Sequence, residues 1–226
     1  MENDKLIKMF KFTAFACMLA SSTNTMALGP NANVQINGTI KPGACTPTLD
    51  NGGVIDLGVV DANSIGASGL RITDKSFNLV INCSTHTVFE WDFTDNRFDS
   101  AVTTSLPGLL SSWRNGLGFT SDNKKIGAYN INRSSRVIVA DGINRDLIQF
   151  NGVWSITSGA NAVMQSTNMG TNALKYSVAE TGEIIPIAVK TASFPLYARM
   201  AISSEMNSVT QIENIDGNVT FSLEYL

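Results

Sequence analysis

Residues Gly217–Leu226 read GNVTFSLEYL, and in them Val219, Phe221, Leu223 and Tyr225 alternate with Asn218, Thr220, Ser222 and Glu224. Alternation at a period of two, with β-branched and aromatic residues on the apolar side, is the pattern of a half-buried β-strand. Terminal segments usually fray because few contacts hold them. A strand written this firmly at the end of the sequence needs a sheet to pair with and a core to cover. The question is which polypeptide supplies them.

A matching stripe lies near the other end. In NANVQINGTIKPGAC, Val34, Ile36, Gly38 and Ile40 share one face while Gln35, Asn37 and Thr39 share the other, so this segment also reads as a strand. Gly38 is unusual on an apolar face, because glycine adds no packing unless something approaches closely there. Between the two stripes the apolar segments are short. GGVIDLGVV is a glycine-led run, and FNLVINC places Phe77, Leu79, Ile81 and Cys83 on one face. VFEWDF, RVIVA, GVWSI and ALKYSVA read as further strands, as do EIIPIAV and FPLYARMAI, the last beginning beside Pro195. GLGF reads as a turn, and RDLIQF as a single helical turn. Asn-Gly, Asp-Gly and Ser-Gly pairs punctuate the middle region from about 84 to 170. Short strands with loops and no long helical stripe indicate an all-β sandwich.

The first 27 residues read as a secretory signal peptide. Lys5, Lys8 and Lys11 precede the apolar stretch FTAFACMLA, and Thr25-Met26-Ala27 supplies small residues at alternate positions for cleavage. The apolar part falls short of the roughly 20 residues a membrane span needs, and no later segment approaches that length. The sequence thus predicts an exported chain starting near Leu28, with no membrane span. Removing three lysines and two acidic residues takes the formal charge from −3 to −4. A weakly acidic balance argues against a nucleic-acid partner, which needs clustered Lys and Arg.

Of the three cysteines, Cys17 falls within the signal peptide, leaving Cys45 and Cys83 in an oxidising compartment. Each then has the other as its obvious partner, the alternative being two separate buried thiols.

The order of these features resembles the chaperone–usher pilin family of bacterial fimbrial subunits, and the chain looks most like fimbrial proteins of the DUF1120 kind. The resemblance rests on VQING, a cysteine just beyond it, IDLG, a second cysteine ending FNLVINC, FPLYARM, and the alternating terminal strand with penultimate Tyr225. It implies an incomplete immunoglobulin-like β-sandwich that lacks its final strand and is completed by donor-strand complementation. It further implies a donor extension within residues 28–44 and a sandwich domain over 45–226 with enlarged middle loops. Val34, Ile36, Gly38 and Ile40 fit the donor positions, and Val219, Phe221, Leu223 and Tyr225 the acceptor strand. The implied partners are a periplasmic pilus chaperone, an outer-membrane usher and neighbouring fimbrial subunits, with no cofactor, and the chain would pass through the periplasm to the cell surface. In this family a glycine often stands about fourteen residues from the C-terminus; here Glu213 and Asn214 occupy that region and the nearest glycine is Gly217.

Other chemistry is weaker. The sole histidine, His86, has no glycine-flanked serine elbow to serve. Glu90 and Asp92 share one face of VFEWDF, as a glycosidase pair would, but ordinary in/out alternation against Phe89, Trp91 and Phe93 accounts for them. Asp92, Asp95, Asn96 and Asp99 are oxygen ligands without the glycine and terminal glutamate of an EF-hand loop. No catalytic residue and no metal site is expected. The alternative function is a minor tip or adaptor adhesin binding a surface ligand through the middle region, where Trp91, Trp113 and Trp154 occur.

Overall fold

The computed structural model describes residues 34–39, 44–170 and 174–226. The chain divides into two compact units, residues 1–40 and 41–226. In the first, residues 34–39 belong to no sheet, and Val34 and Ile36 are 86% and 92% exposed. The strand expected over 34–40 is therefore not formed over residues 34–39, since an apolar stripe becomes a strand only when another backbone pairs with it. Ile40, the signal peptide and Leu28 lie outside the described residues.

The second unit is built from eleven strands among its described residues. They are β1 Cys45–Leu49, β2 Leu70–Thr87, β3 Phe89–Asp95, β4 Asn115–Gly116, β5 Gly127–Arg133, β6 Val137–Ala140, β7 Ile143–Phe150, β8 Trp154–Ile156, β9 Lys175–Ala179, β10 Val189–Ile202 and β11 Val219–Tyr225. The remaining regular structure is short 3-10 turns. All pairings are antiparallel, and hydrogen bonds run continuously through β1, β2, β10, β6, β7, β9, β3 and β11, with β5 and β4 beside β10 and β8 beside β7.

This ribbon folds over on itself into a nearly closed, barrel-like sandwich. Trp91 of β3 meets Phe194 of β10 with ring centroids 5.1 Å apart, and Phe221 of β11 meets Phe77 of β2 at 6.4 Å. Strands distant in the hydrogen-bonded order thus face each other across one core. Leu79, Ile81, Phe89, Trp91, Phe93, Tyr176 and Phe194 are its largest buried members. Phe89, Trp91 and Phe93 point inward from β3, as alternation requires.

Pro195 sits inside β10, where a missing N–H would normally break a ladder. On one flank β10 pairs with β2 through Pro195↔Asn78. On the other it pairs with β6 at Ala192 and Ser193 and with β5 from Leu196 onward. The proline occupies the change of partner, where no donor is required, and its carbonyl accepts from Ser134.

Two segments differ from the sequence reading. RDLIQF is no helical turn but most of β7, held between β6 and β9. Both its faces are covered, so Asp146, Leu147 and Ile148 are buried in succession and the period of two vanishes. EIIPIAV stays outside the sheet until Val189, apart from a bridge between Pro186 and Ala179. GGVIDLGVV forms no strand. The strand β5 has no counterpart in the sequence reading, because its outward residues include Asn130 and Asn132, both buried beneath neighbouring loops.

Candidate functional site

The site follows from where the ribbon ends. Among the described residues, β11 pairs with β3 along one flank, from Val219↔Asp95 to Tyr225↔Phe89, and with no strand along the other. At the opposite end of the ribbon, β1 pairs with β2 alone. The two ends meet at a corner, where the backbone N–H of Cys45 donates to the Tyr225 hydroxyl at 2.9 Å.

Away from that corner the ends diverge, leaving a groove of about 1250 Å³. Its floor is core rather than surface: Phe77, Ile131 and Met200 line it, joined by Phe221 and Val219 from β11. One lip is the extended segment of residues 54–61, with Leu57 packed on the core. The other is the stretch of residues 209–218 leading into β11, anchored by Asp216, whose N–H donates to the Leu117 carbonyl and whose carboxylate pairs with Arg97 at 2.6 Å. Gly217 lies in this lip, and a Cβ there would stand 3.1 Å from Leu117 Cδ2 and 3.2 Å from Tyr129 Cε1. Glycine lets that lip close onto the core.

Val219, Phe221 and Leu223 are half-buried and pack on the core, whereas Tyr225 is 51% exposed and reaches over to β1. An unpaired strand edge beside an apolar floor is a template for another backbone. The disulfide between Cys45 and Cys83 is formed, and it joins residues directly opposite each other in the β1–β2 ladder. The side-chain alternation had placed Cys83 in line with core residues; it is 6% exposed.

The outward face of β3 and β11 is charged. Lys175 on β9 donates to both Glu90 and Glu224, residues opposite each other across the two strands. These hydrogen bonds, to Glu224 first and then Glu90, push the Lys175 ammonium above its ordinary value, and the same contact holds the Glu224 carboxyl low. Asp92 is pushed up by burial and by the nearby charge of Glu224. Glu90 therefore takes part in ion pairing between strands, through Lys175.

His86 is exposed at the end of β2, with Nε2 3.4 Å from Asp141 Oδ2. Asp141 is already engaged by the N–H groups of Lys190 and Thr191, at 3.0 and 2.8 Å. Asp95 is buried and fastens the turn after β3, accepting from the N–H groups of Arg97 and Gly116, both at 2.8 Å. Among the described residues no cluster of three His, Cys, Asp or Glu side chains is placed to hold a metal, and no helix is long and apolar enough to cross a membrane.

The three tryptophans part company. Trp91 is 1% exposed and central to the core, and Trp154 packs on Phe150 at 5.2 Å. Trp113 is half-buried with φ of 63°, a left-handed conformation rare for a bulky residue and costing roughly 1–3 kcal/mol.

Sequence reasoning did not identify the groove floor and lips. Phe77 and Met200 stand on strands it found, but alternation distinguishes inside from outside and not covered core from core beneath a gap. Leu57 and its neighbours carried only an apolar run without a ladder.

Comparison with known proteins places residues 34–130 in the family described as "Protein of unknown function (DUF1120)". Protein GltF of Escherichia coli (strain K12) is 30% identical, over 94% of this chain and 92% of its own. The uncharacterized protein YhcF of the same organism is 27% identical over the full length of both.

Proposed function

The chain belongs to the DUF1120 family, and from that premise we propose that it is a structural subunit of a bacterial surface fimbria, assembled by donor-strand exchange along the chaperone–usher route. The observation that carries this reading is the unpaired flank of β11 opening onto an apolar groove. A second backbone laid along that flank adds a strand to the sandwich, with main-chain bonds giving affinity and side-chain pockets giving register.

The occupant is residues 34–40 of a neighbouring subunit, preceded during export by a strand from a periplasmic chaperone. β11 spans seven residues, about 23 Å at 3.3 Å per residue, and the donor stripe from Val34 to Ile40 matches that length. Val34 and Ile36 are exposed in the single chain and gain burial on docking. Burying Val34, Ile36 and Ile40 contributes about 5–9 kcal/mol. Ordering seven backbone residues costs on the order of 7–14 kcal/mol. The side chains alone do not suffice, so the main-chain ladder and the newly covered floor must contribute the remainder.

The test is export of the mature chain with and without a pilus chaperone. Recovery of soluble, donor-competent protein only with the chaperone supports the reading. A stable monomer without it, its β11 edge already paired, refutes it.

A further inference from the structure

Four Asn-Gly pairs occur in the chain, at Asn37, Asn51, Asn115 and Asn151. Such a pair can modify itself. The glycine main-chain nitrogen attacks the asparagine side-chain carbonyl carbon, the bond from that carbon to the side-chain nitrogen breaks, ammonia leaves, and a succinimide ring results. Water then opens the ring at either carbonyl, giving aspartate, or isoaspartate in which the main chain runs through the former side chain. Base takes the amide proton before the attack, so the reaction quickens as pH rises. It requires an unobstructed glycine, an amide nitrogen free to attack, and freedom to rotate about the asparagine backbone.

The structure separates the four pairs on these requirements. Asn115 is 1% exposed in β4, and the N–H of Gly116 donates to the Asp95 carboxylate at 2.8 Å. A Cβ on Gly116 would stand 2.0 Å from the Arg97 carbonyl oxygen, so the backbone there has no room to turn. Asn51 is fixed in a left-handed turn at φ 50° and ψ 30°, its carbonyl accepting from the Val54 N–H. Asn151 sits in the loop between β7 and β8, clamped by the Phe150↔Trp154 pair and by its own N–H, which donates to the Val153 carbonyl at 3.2 Å. Asn37 meets none of these restraints among the described residues. It and Gly38 are exposed and outside any sheet, and no group comes within 4 Å of where a Gly38 Cβ would stand.

We propose that Asn37-Gly38 is a self-modification site whose reaction ends the donor competence of an undocked chain. The chemistry depends only on the exposure of the pair, whereas the loss of competence rests on the strand-docking reading. Asn37 shares its face with Gln35 and Thr39, opposite the apolar stripe. An aspartate there points off the groove floor and leaves docking intact. Isoaspartate acts differently, because it adds one methylene, about 1.5 Å, to the main chain. The in/out alternation is then broken after Ile36, and Gly38 and Ile40 no longer fall in register with the pockets that take Val34 and Ile36. Docking prevents the reaction, since a paired strand holds its backbone extended and cannot bring the glycine nitrogen onto the side chain. The pair thus distinguishes a subunit taken up promptly from one left waiting.

The test has two arms. In the first, the full mature chain is aged at neutral and mildly alkaline pH and mapped by peptide mass spectrometry. Amide-to-acid conversion at Asn37 should run at least about tenfold faster than at the protected Asn115, should quicken at the higher pH, and should be absent in Asn37→Gln. Conversion at Asn37 no faster than at Asn115 would overturn the proposal. In the second, synthetic peptides of residues 28–44 are titrated onto the chain as the native sequence, as Asn37→Asp, and with isoaspartate at position 37. The first two should bind alike and the third at least about tenfold more weakly, a loss of about 1.4 kcal/mol. Equal binding of the isoaspartate peptide would overturn the loss of competence. Failure of the native peptide to bind would refute the strand-docking reading and the loss of competence with it, while the mass map would still decide whether the site reacts.

Discussion

The backbone N–H of Cys45 donates a 2.9 Å hydrogen bond to the phenolic oxygen of Tyr225, joining the first and last strands of a ribbon that does not otherwise close. Because Cys45 is also bonded to Cys83, the end of β11 is fastened to β1 and, through the disulfide, to β2. The groove therefore has a closed end at Tyr225 and opens toward Val219. Tyr225→Phe removes the acceptor and leaves the ring. A partly exposed hydrogen bond contributes about 0.5–1.5 kcal/mol, so the thermal unfolding midpoint should fall by roughly 1–6 °C in a domain of this size.

The disulfide closes a loop with a sequence separation of 38. In the chain-entropy account that is worth about 3–4 kcal/mol. The double variant Cys45→Ala, Cys83→Ala should lose that much in denaturant unfolding. It should also expose β1 to exchange before β2, because β1 has its ladder on one side only.

Assembly should be blocked from either end. Leu223→Asp places a charge on the half-buried face of β11, while Ile36→Asp alters a side chain that is 92% exposed in the single chain. Ile36→Asp should therefore leave folding and export of its own chain unchanged and still abolish polymer. Electron microscopy of cells showing normal fimbriae in both variants would contradict the proposed exchange.

Acid sensitivity should trace in part to Asp74. Burial raises its carboxyl, but hydrogen bonds from Arg199 and Arg71 outweigh that effect and hold it below 3.8. A depressed carboxyl stabilises the fold above its unfolded value and loses that contribution as pH falls through the folded value. Asp74→Asn should thus cost on the order of 1 kcal/mol at pH 7. The difference from wild type should shrink as pH drops below about 4. Urea unfolding from pH 7 to pH 2.5 measures it.

Much of this was legible in the sequence where one face of a strand meets the core and the other meets solvent. β11 and β3 show it: Phe89, Trp91 and Phe93 point inward against Phe221 and Leu223, and Glu90 and Glu224 point outward together. The cysteine pairing was legible for a different reason, because an oxidising compartment leaves two thiols one outcome. β7 was not, since it is covered on both faces. Nor was β5, whose Asn130 and Asn132 read as solvent-facing yet lie buried under the following loops. The lips of the groove escaped because they are a relation between chain segments 54–61 and 209–218, which share no pattern. The strain at Trp113 has no sequence signal, for φ depends on the bonds from Arg114 and Asn130 that fold the loop.

The most direct measurement is amide hydrogen exchange over Val219–Tyr225 in the mature chain, with and without a synthetic peptide of residues 28–44. Exchange on the free flank of β11 should be fast in the isolated monomer and slow at least about tenfold with the peptide, with residues 54–61 slowing alongside. Amides on β11 already as protected as those of β3 in the peptide-free monomer, and unmoved by the peptide, would contradict the account.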